Sequence, residues 1–175
     1  MIVKIVPVTD PVLRMKSKDV TKVDKKIKQL IQDLKDTLFT QSDPEGVGLA
    51  APQIGKSLCI FAMKPDHNAE ITIIINPKII SVADDKNIKA DNKTLEGCLS
   101  LPHYYGPLIR PAKITIEYLN EEGEKVKKTF TGFPAQIIQH EIDHLNGILF
   151  VDHLLKKKQP LYENKKGAWH KVELV

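Results

Sequence analysis

Cysteine, arginine and long apolar runs are scarce in this 175-residue chain, and each scarcity excludes a class of protein. Cys59 and Cys98 are the only cysteines, too few for a disulfide framework, so a reducing aqueous compartment is expected, most simply cytoplasm. The N-terminal stretch from Met1 to Pro7 reads as neither signal peptide nor membrane span, and runs such as Ile71 to Ile75 are too short to cross a bilayer. No membrane partner is expected. Lys and Arg exceed Asp and Glu by 26 to 22, yet Arg14 and Arg110 are the only arginines. Nucleic-acid sites cluster basic residues and use the arginine fork on phosphates and guanines, so the scattered lysines read as a solvated surface with no specific nucleic-acid partner. Neither a repeat nor a long linker interrupts the chain, and 42% hydrophobic content suits one domain over 1–175.

Local patterns sketch the elements. Asp10-Pro-Val-Leu-Arg14 reads as an extended or turn segment, because proline keeps its predecessor out of helix. Thr21, with Asp24 three residues on, resembles a capping box, and Val23, Ile27, Leu30, Ile31, Leu34 and Leu38 follow at helical spacing. Leu58 to Met63 and Ile71 to Ile75 read as strands, and the charged stretch from Ala83 to Lys93 as a surface loop. Alternation over Lys113 to Leu119 and again over Lys125 to Phe130, across Asn120-Glu-Glu-Gly123, predicts a hairpin. A second helix should begin at Gly132 to Pro134 and stop at Gly147. Strands in the middle with helices flanking them favour an α+β domain over a parallel α/β one.

The second helix carries the chemistry, in His140-Glu141-Ile142-Asp143-His144. Residues four apart share a helix face, and neutral imidazole is a good ligand for a borderline divalent metal. Glu141 lies about 100° round the helix, where it can act on water without being a ligand. Ile138, Ile142, Leu145 and Leu149 make one stripe, and Ile137, His140, His144 and Ile148 an adjacent one, both with a buried look. The plain alternative is a pair of core histidines bonded to backbone. A third ligand would decide between them. The downstream ligand of metzincin proteases is missing from Asn146 to Leu155, and His153 falls outside that pattern. Upstream, Leu95-Glu-Gly-Cys-Leu-Ser100 offers a thiolate, a strong ligand for zinc or ferrous iron, although a lone cysteine is usually a small buried hydrophobe. Gly46-Val-Gly-Leu-Ala-Ala-Pro-Gln53 ends in an amide able to donate to a developing oxyanion, or it is a tight turn on the core.

Together, Gly46 to Gln53, Glu96-Gly-Cys98-Leu-Ser100 and His140 to His144 resemble the three motifs of the peptide deformylase family, in order, with similarity over roughly residues 5 to 155. The resemblance implies an α+β fold with antiparallel sheets packed around a central metal-binding helix and an N-terminal helix. It implies removal of the formyl group from the N-terminal formyl-methionine of nascent polypeptides, releasing formate. Cys98, His140 and His144 would hold one divalent metal per chain, ferrous iron (Fe2+) in vivo and zinc (Zn2+) or nickel (Ni2+) in preparations. Glu141 would be the base, with Gln53 and the backbone N–H of Leu99 donating to the oxyanion. Val47, Gly48, Glu96, Phe133 and Ile137 would contact the substrate. The other readings are a catalytically silent or altered-specificity relative that binds N-terminal peptide segments, and a metalloendopeptidase.

Two features depart from the family. Tyr105 stands seven residues past Cys98, where many bacterial members carry an arginine that touches substrate or the pocket mouth. The later Arg110 is expected to pair with Asp143 and orient the metal-bearing helix, or else to be a surface charge near a turn. Pro134 and Gln136 replace bulkier or basic residues, which alters the outer pocket wall. The tail 156–175 has Leu161, Tyr162, Trp169 and Val172 among lysines, and should form a short strand or ordered coil rather than a basic helix. A monomer with at most a transient ribosome encounter is expected.

Overall fold

The computed structural model of the protein describes residues 1–83 and 95–173. All but the first residue of the expected loop from Ala83 to Lys93 lies outside the described residues.

One sheet explains most of the apolar sequence. Strands β1 (Gly48–Ala50), β2 (Ile60–Met63), β3 (Thr72–Ala83), β6 (Lys113–Leu119) and β7 (Lys125–Thr131) pair antiparallel in the order β1-β2-β3-β6-β7. Successive strand residues point to opposite faces, and both faces are covered over β1, β2 and the start of β3, whereas β6 and β7 keep one face open to solvent. Phe61, Met63 and Ile74 face helix α2 (Phe133–Leu145), packing with Ile137, Ile138 and Ile142. Ile60, Ala62, Ile73 and Ile75 face helix α1 (Lys25–Phe39), packing with Leu30, Leu34 and Leu38. The continuous apolar runs of β2 and of β3 up to Ile75 therefore follow from the part of the sheet that is enclosed between two helices.

Several boundaries differ from the sequence expectation. Asp24, not Thr21, caps α1, its carboxylate accepting from the Ile27 N–H at 3.0 Å. Asp10-Pro-Val-Leu-Arg14 closes a single 3-10 turn over Pro11–Arg14, with the Asp10 carboxylate accepting from the Val12 N–H. Strand β3 runs well past Ile75 because Asn76-Pro77, a turn signal locally, sits in a bulge where the pairing with β6 shifts. Asn76 has a positive φ of 50°, and its side chain bonds both the N–H and the carbonyl of Val20 at 2.8 Å. The β6–β7 hairpin is as expected, its turn held by the Asn120 side chain, which accepts from the N–H groups of Glu122 and Glu124.

Helix α2 begins with Pro134 in its first turn and ends at Asn146, before Gly147 in the left-handed region at φ 73°. A Cβ on Gly147 would run into the Arg14 carbonyl, so the turn is doubly restricted. Ile148, placed by periodicity in a buried helical stripe, is exposed because the helix has already ended, while Leu149 stays buried in the following turn.

A second sheet, in the order β4-β5-β8-β9, joins β4 (Glu96–Cys98) and β5 (Leu101–Gly106) to the C-terminal strands β8 (Leu161–Lys165) and β9 (Ala168–Val172). The tail is thus a full hairpin preceded by helix α3 (Phe150–Lys156), where the sequence suggested one strand or coil. Leu108, Phe150, Leu154 and Leu161 form its small core. Widely spaced apolar residues among lysines gave little local signal, and it is pairing of β8 with β5 that makes them a sheet. The architecture is α+β, with antiparallel sheets around α2 and α1 as an outer helix.

The double-sided core predicts an asymmetry in α1. Leu34→Ala should cost about 2 to 5 kcal/mol in denaturant unfolding, whereas Lys26→Ala on the exposed face should stay within about 0.5 kcal/mol.

Candidate metal centre

Helix α2 presents its two histidines one turn apart, with ring centroids 4.9 Å from each other. Strand β4, at the edge of the second sheet, brings Cys98 against them: its Sγ lies 3.2 Å from His144 Nε2. The candidate ligand atoms of Cys98, His140 and His144 all lie within 4.8 Å of one another. One thiolate with two imidazoles is a donor set suited to zinc or ferrous iron. Cys59, by contrast, packs against the main core just ahead of β2, where burial pushes its thiol up to about 11.

The ligand from β4 and the ligands from α2 are tied together by charge. Arg110 is 7% exposed at its side chain and donates through Nε and Nη2 to the two oxygens of Glu96, each at 2.7 Å. Its Nη1 lies 2.9 Å from Asp143 Oδ2. Glu96 Oε1 also holds His140 Nδ1 at 2.6 Å, and His153 Nε2 meets Asp143 at 2.8 Å. Arg110 therefore lies inside, not at the surface, and the expected Arg110–Asp143 pair is present. Glu96, expected among the substrate residues, lines the cavity, and its carboxylate is at the same time held by Arg110 and His140. Burial would raise the Glu96 carboxyl, but Arg110 and His140 bring it down to about 2. Burial likewise depresses His140, yet the Glu96 carboxylate holds it well above the ordinary imidazole range. For His144, burial and the neighbouring His140 both act downward.

With Nδ1 of His140 engaged by Glu96, Nε2 is the nitrogen left for a cation. Among the described residues, two atoms of the His-Glu-x-x-His turn are buried without a partner, His144 Nδ1 and Glu141 Oε2. Burial raises the Glu141 carboxyl to about 7. An orphaned carboxylate oxygen beside a thiolate and two imidazoles fits a site built for a cation and a water better than a packed core. Gly48 keeps that carboxylate free, since a Cβ at this position would overlap Glu141 Oε1.

Gln53 is fully buried and oriented from both ends. Its Oε1 accepts from the Ala50 N–H at 2.8 Å, which turns Nε2 toward Ser100 Oγ at 3.3 Å and Cys98 Sγ at 3.5 Å. The short β1 strand and the 3-10 turn Ala51–Ile54 set this position, as the small-residue run allows. Val47, Gly48, Phe133 and Ile137 line the wall of a cavity of about 230 Å³ over the cluster, and Leu99 borders it too. Tyr105 stands at the same cavity. Sequence reasoning gave no role to Ser100 and set His153 aside; their partners, Gln53 and Asp143, are distant in sequence or out of helical register, so no local pattern pointed to them.

Arg110→Ala would leave two buried carboxylates without their cation. It should destabilise the fold by about 3 to 5 kcal/mol in denaturant unfolding and weaken metal binding by about 10- to 100-fold in a metal titration. Arg110→Lys should not restore either, because an ammonium cannot hold both carboxylates as the fork does. Full metal content and unchanged stability in Arg110→Ala would remove the orienting role.

Known proteins of similar sequence and fold place this arrangement. A family model described as Polypeptide deformylase matches residues 2–160. A peptide deformylase of Pseudothermotoga lettingae is 43% identical over 152 residues, covering 87% of this chain and 82% of that one. Peptide deformylase 2 of Clostridium acetobutylicum is 46% identical over 145 residues, covering 82% and 89%. The crystal structure of a peptide deformylase from Legionella pneumophila superposes with a TM-score of 0.77 at 40% identity, over 87% of this chain and 85% of that one. The motif turn, the thiolate on β4 and the oriented amide of Gln53 all lie inside the matched span, and the chain belongs to the peptide deformylase family.

Proposed function

We propose that the protein hydrolyses the formyl amide of N-terminal formyl-methionine on nascent polypeptides, releasing formate and a free amine. The observation that carries the reading is the meeting of three ligand atoms within 4.8 Å with a buried carboxylate, Glu141, that has an oxygen to spare. Cys98, His140 and His144 would hold one divalent cation per chain, ferrous iron in the cell and zinc or nickel in preparations. When bound, that cation supplies Lewis acidity that brings ionisation of water toward neutral pH.

The protein's own groups do the rest. Glu141 takes the proton of the attacking water and later passes it to the departing amine as the carbon–nitrogen bond breaks. Gln53 Nε2 and the Leu99 N–H donate to the oxyanion that forms on the former carbonyl oxygen; Gln53 is preoriented for this by the Ala50 N–H, so no reorganisation is needed as charge develops. Val47, Phe133 and Ile137 supply an apolar wall for the methionine side chain, and Gly48 lets the substrate backbone come close beside Glu141. Glu96, Arg110 and Asp143 hold His140 and the helix in position. The protein works as a monomer and a single catalytic domain over 1–175, in the cytoplasm, meeting nascent chains in at most a transient ribosome encounter. Among the described residues no helix is long and apolar enough to cross a membrane.

The test is formate release from formyl-Met-Ala-Ser with parallel metal analysis. Glu141→Ala should lose about 10²- to 10⁴-fold in kcat while retaining about one metal per chain, and undiminished hydrolysis would sink the base role. Gln53→Ala should cost about 10²- to 10³-fold in kcat, equivalent to loss of one oxyanion donor. An iron-loaded preparation should lose activity in air faster than a nickel or zinc one, since a ferrous thiolate is exposed to oxygen chemistry; persistence of the iron form through prolonged aerobic storage would count against that ligand set.

A further inference from the structure

The second sheet places one aromatic ring, Tyr105, on the rim of the cavity and packs a second, Trp169, against it, and nothing above gives the pair a function. Tyr105 on β5 borders the cavity and lies over β4, so closely that a Cβ on Gly97 would meet its ring at 2.7 Å. In the pairing register Tyr105 stands opposite Tyr162 of β8, and Trp169 of β9 stands opposite Asn164. Residues 162 and 164 share a face, so Trp169 comes to the Tyr105 side of the sheet. The two rings meet edge to face, with centroids 5.5 Å apart. Trp169 remains 50% exposed although it is the largest apolar side chain of the hairpin. A tertiary contact made only to complete the small core would put the ring on the other face, with Leu161 and Val172.

The hairpin that delivers Trp169 lies beyond residue 160, where the family model stops. Tyr105 is the member of the pair that reaches the mouth of the cavity, with Trp169 packed on it from the C-terminal hairpin. A Tyr–Trp corner with an open ring face is a surface on which a third flat side chain stacks with favourable edge and face geometry.

We propose that Tyr105 and Trp169 form a specificity shelf at the mouth of the active site that favours an aromatic side chain in the residue after formyl-methionine. The proposal rests on the deformylase reading above and deepens it. Tyr105 contacts the incoming side chain directly, and Trp169 extends and braces the Tyr105 ring from the C-terminal hairpin.

The experiment compares kcat/KM for formyl-Met-Phe-Ser, formyl-Met-Ala-Ser and formyl-Met-Lys-Ser in the metal-loaded full chain. The wild type should favour Phe over Ala by about tenfold, equivalent to about 1.4 kcal/mol, with most of the difference in KM. Trp169→Ala should reduce that ratio to about twofold or less, and Trp169→Phe should keep it. Trp169 is the only tryptophan, so its emission reports the site without turnover: the product peptide Met-Phe-Ser should change it at saturation, and Met-Ala-Ser should leave it unchanged. Equal kcat/KM for Phe and Ala, a ratio untouched by Trp169→Ala, or equal losses on both substrates would overturn the shelf while leaving the deformylase reading intact. A preference for Lys would overturn it as well, by assigning the rim to the carboxylate of Glu45, which lines the same cavity. Absence of turnover on all three peptides would instead sink the function on which the shelf depends.

Discussion

One buried guanidinium holds this site together. Arg110 reaches Glu96 on strand β4 with two hydrogen bonds and Asp143 on helix α2 with a third contact, so a single side chain spans the two elements that carry the ligands. Glu96 then fixes the Nδ1 side of His140, and Asp143 is met on its other side by His153. A buried charge of this kind is costly unless every partner is in place. The same requirement makes the geometry of the cluster reproducible: Cys98 cannot drift from the histidines without breaking the fork that links its own strand to their helix.

The electrostatics around that fork divide the carboxylates into two kinds. Glu96 sits among cationic partners and is held low, whereas Glu141, one residue from His140 on the same helix, is buried with an oxygen unpartnered and is pushed up to about 7. Environment separates a structural anion from a group able to carry a proton. Gly48 contributes to this by having no side chain, because any Cβ there would occupy the space of the Glu141 carboxylate. The enclosed part of the main sheet supports both, giving α2 a rigid floor of Phe61, Met63 and Ile74 while α1 covers the opposite face.

Much of the site was legible in the sequence because its chemistry is local. His140, Glu141 and His144 lie within one helical turn, Glu96 to Ser100 is a contiguous segment, and Gln53 ends a small-residue run. What could not be read was the direction of side chains with two possible partners. Glu96 was expected among the substrate residues, and the Arg110 and His140 partners of its carboxylate were not foreseen, while Arg110 was left between a buried pair and a surface charge. Both depend on the distance between β4 and α2, which no spacing in the chain encodes. Thr21 and Asp24 posed the same problem on a smaller scale: both are capping residues by type, and only the path of the chain puts Asp24 at the first free N–H groups.

The sequence by itself determined the element types wherever periodicity was strong, in α1, in the β6–β7 hairpin and in α2, together with the residues able to bind a cation and move a proton. Hydrophobic period and turn chemistry act over a few residues, and those signals are complete within the segments that carry them. Tertiary structure decided the continuation of β3 through its bulge at Asn76-Pro77, the sheet made from the lysine-rich tail, and the meeting of Tyr105 with Trp169. Each of these depends on pairing between strands far apart in the chain, where the stabilising contact belongs to the partner and leaves no periodic trace in either segment alone.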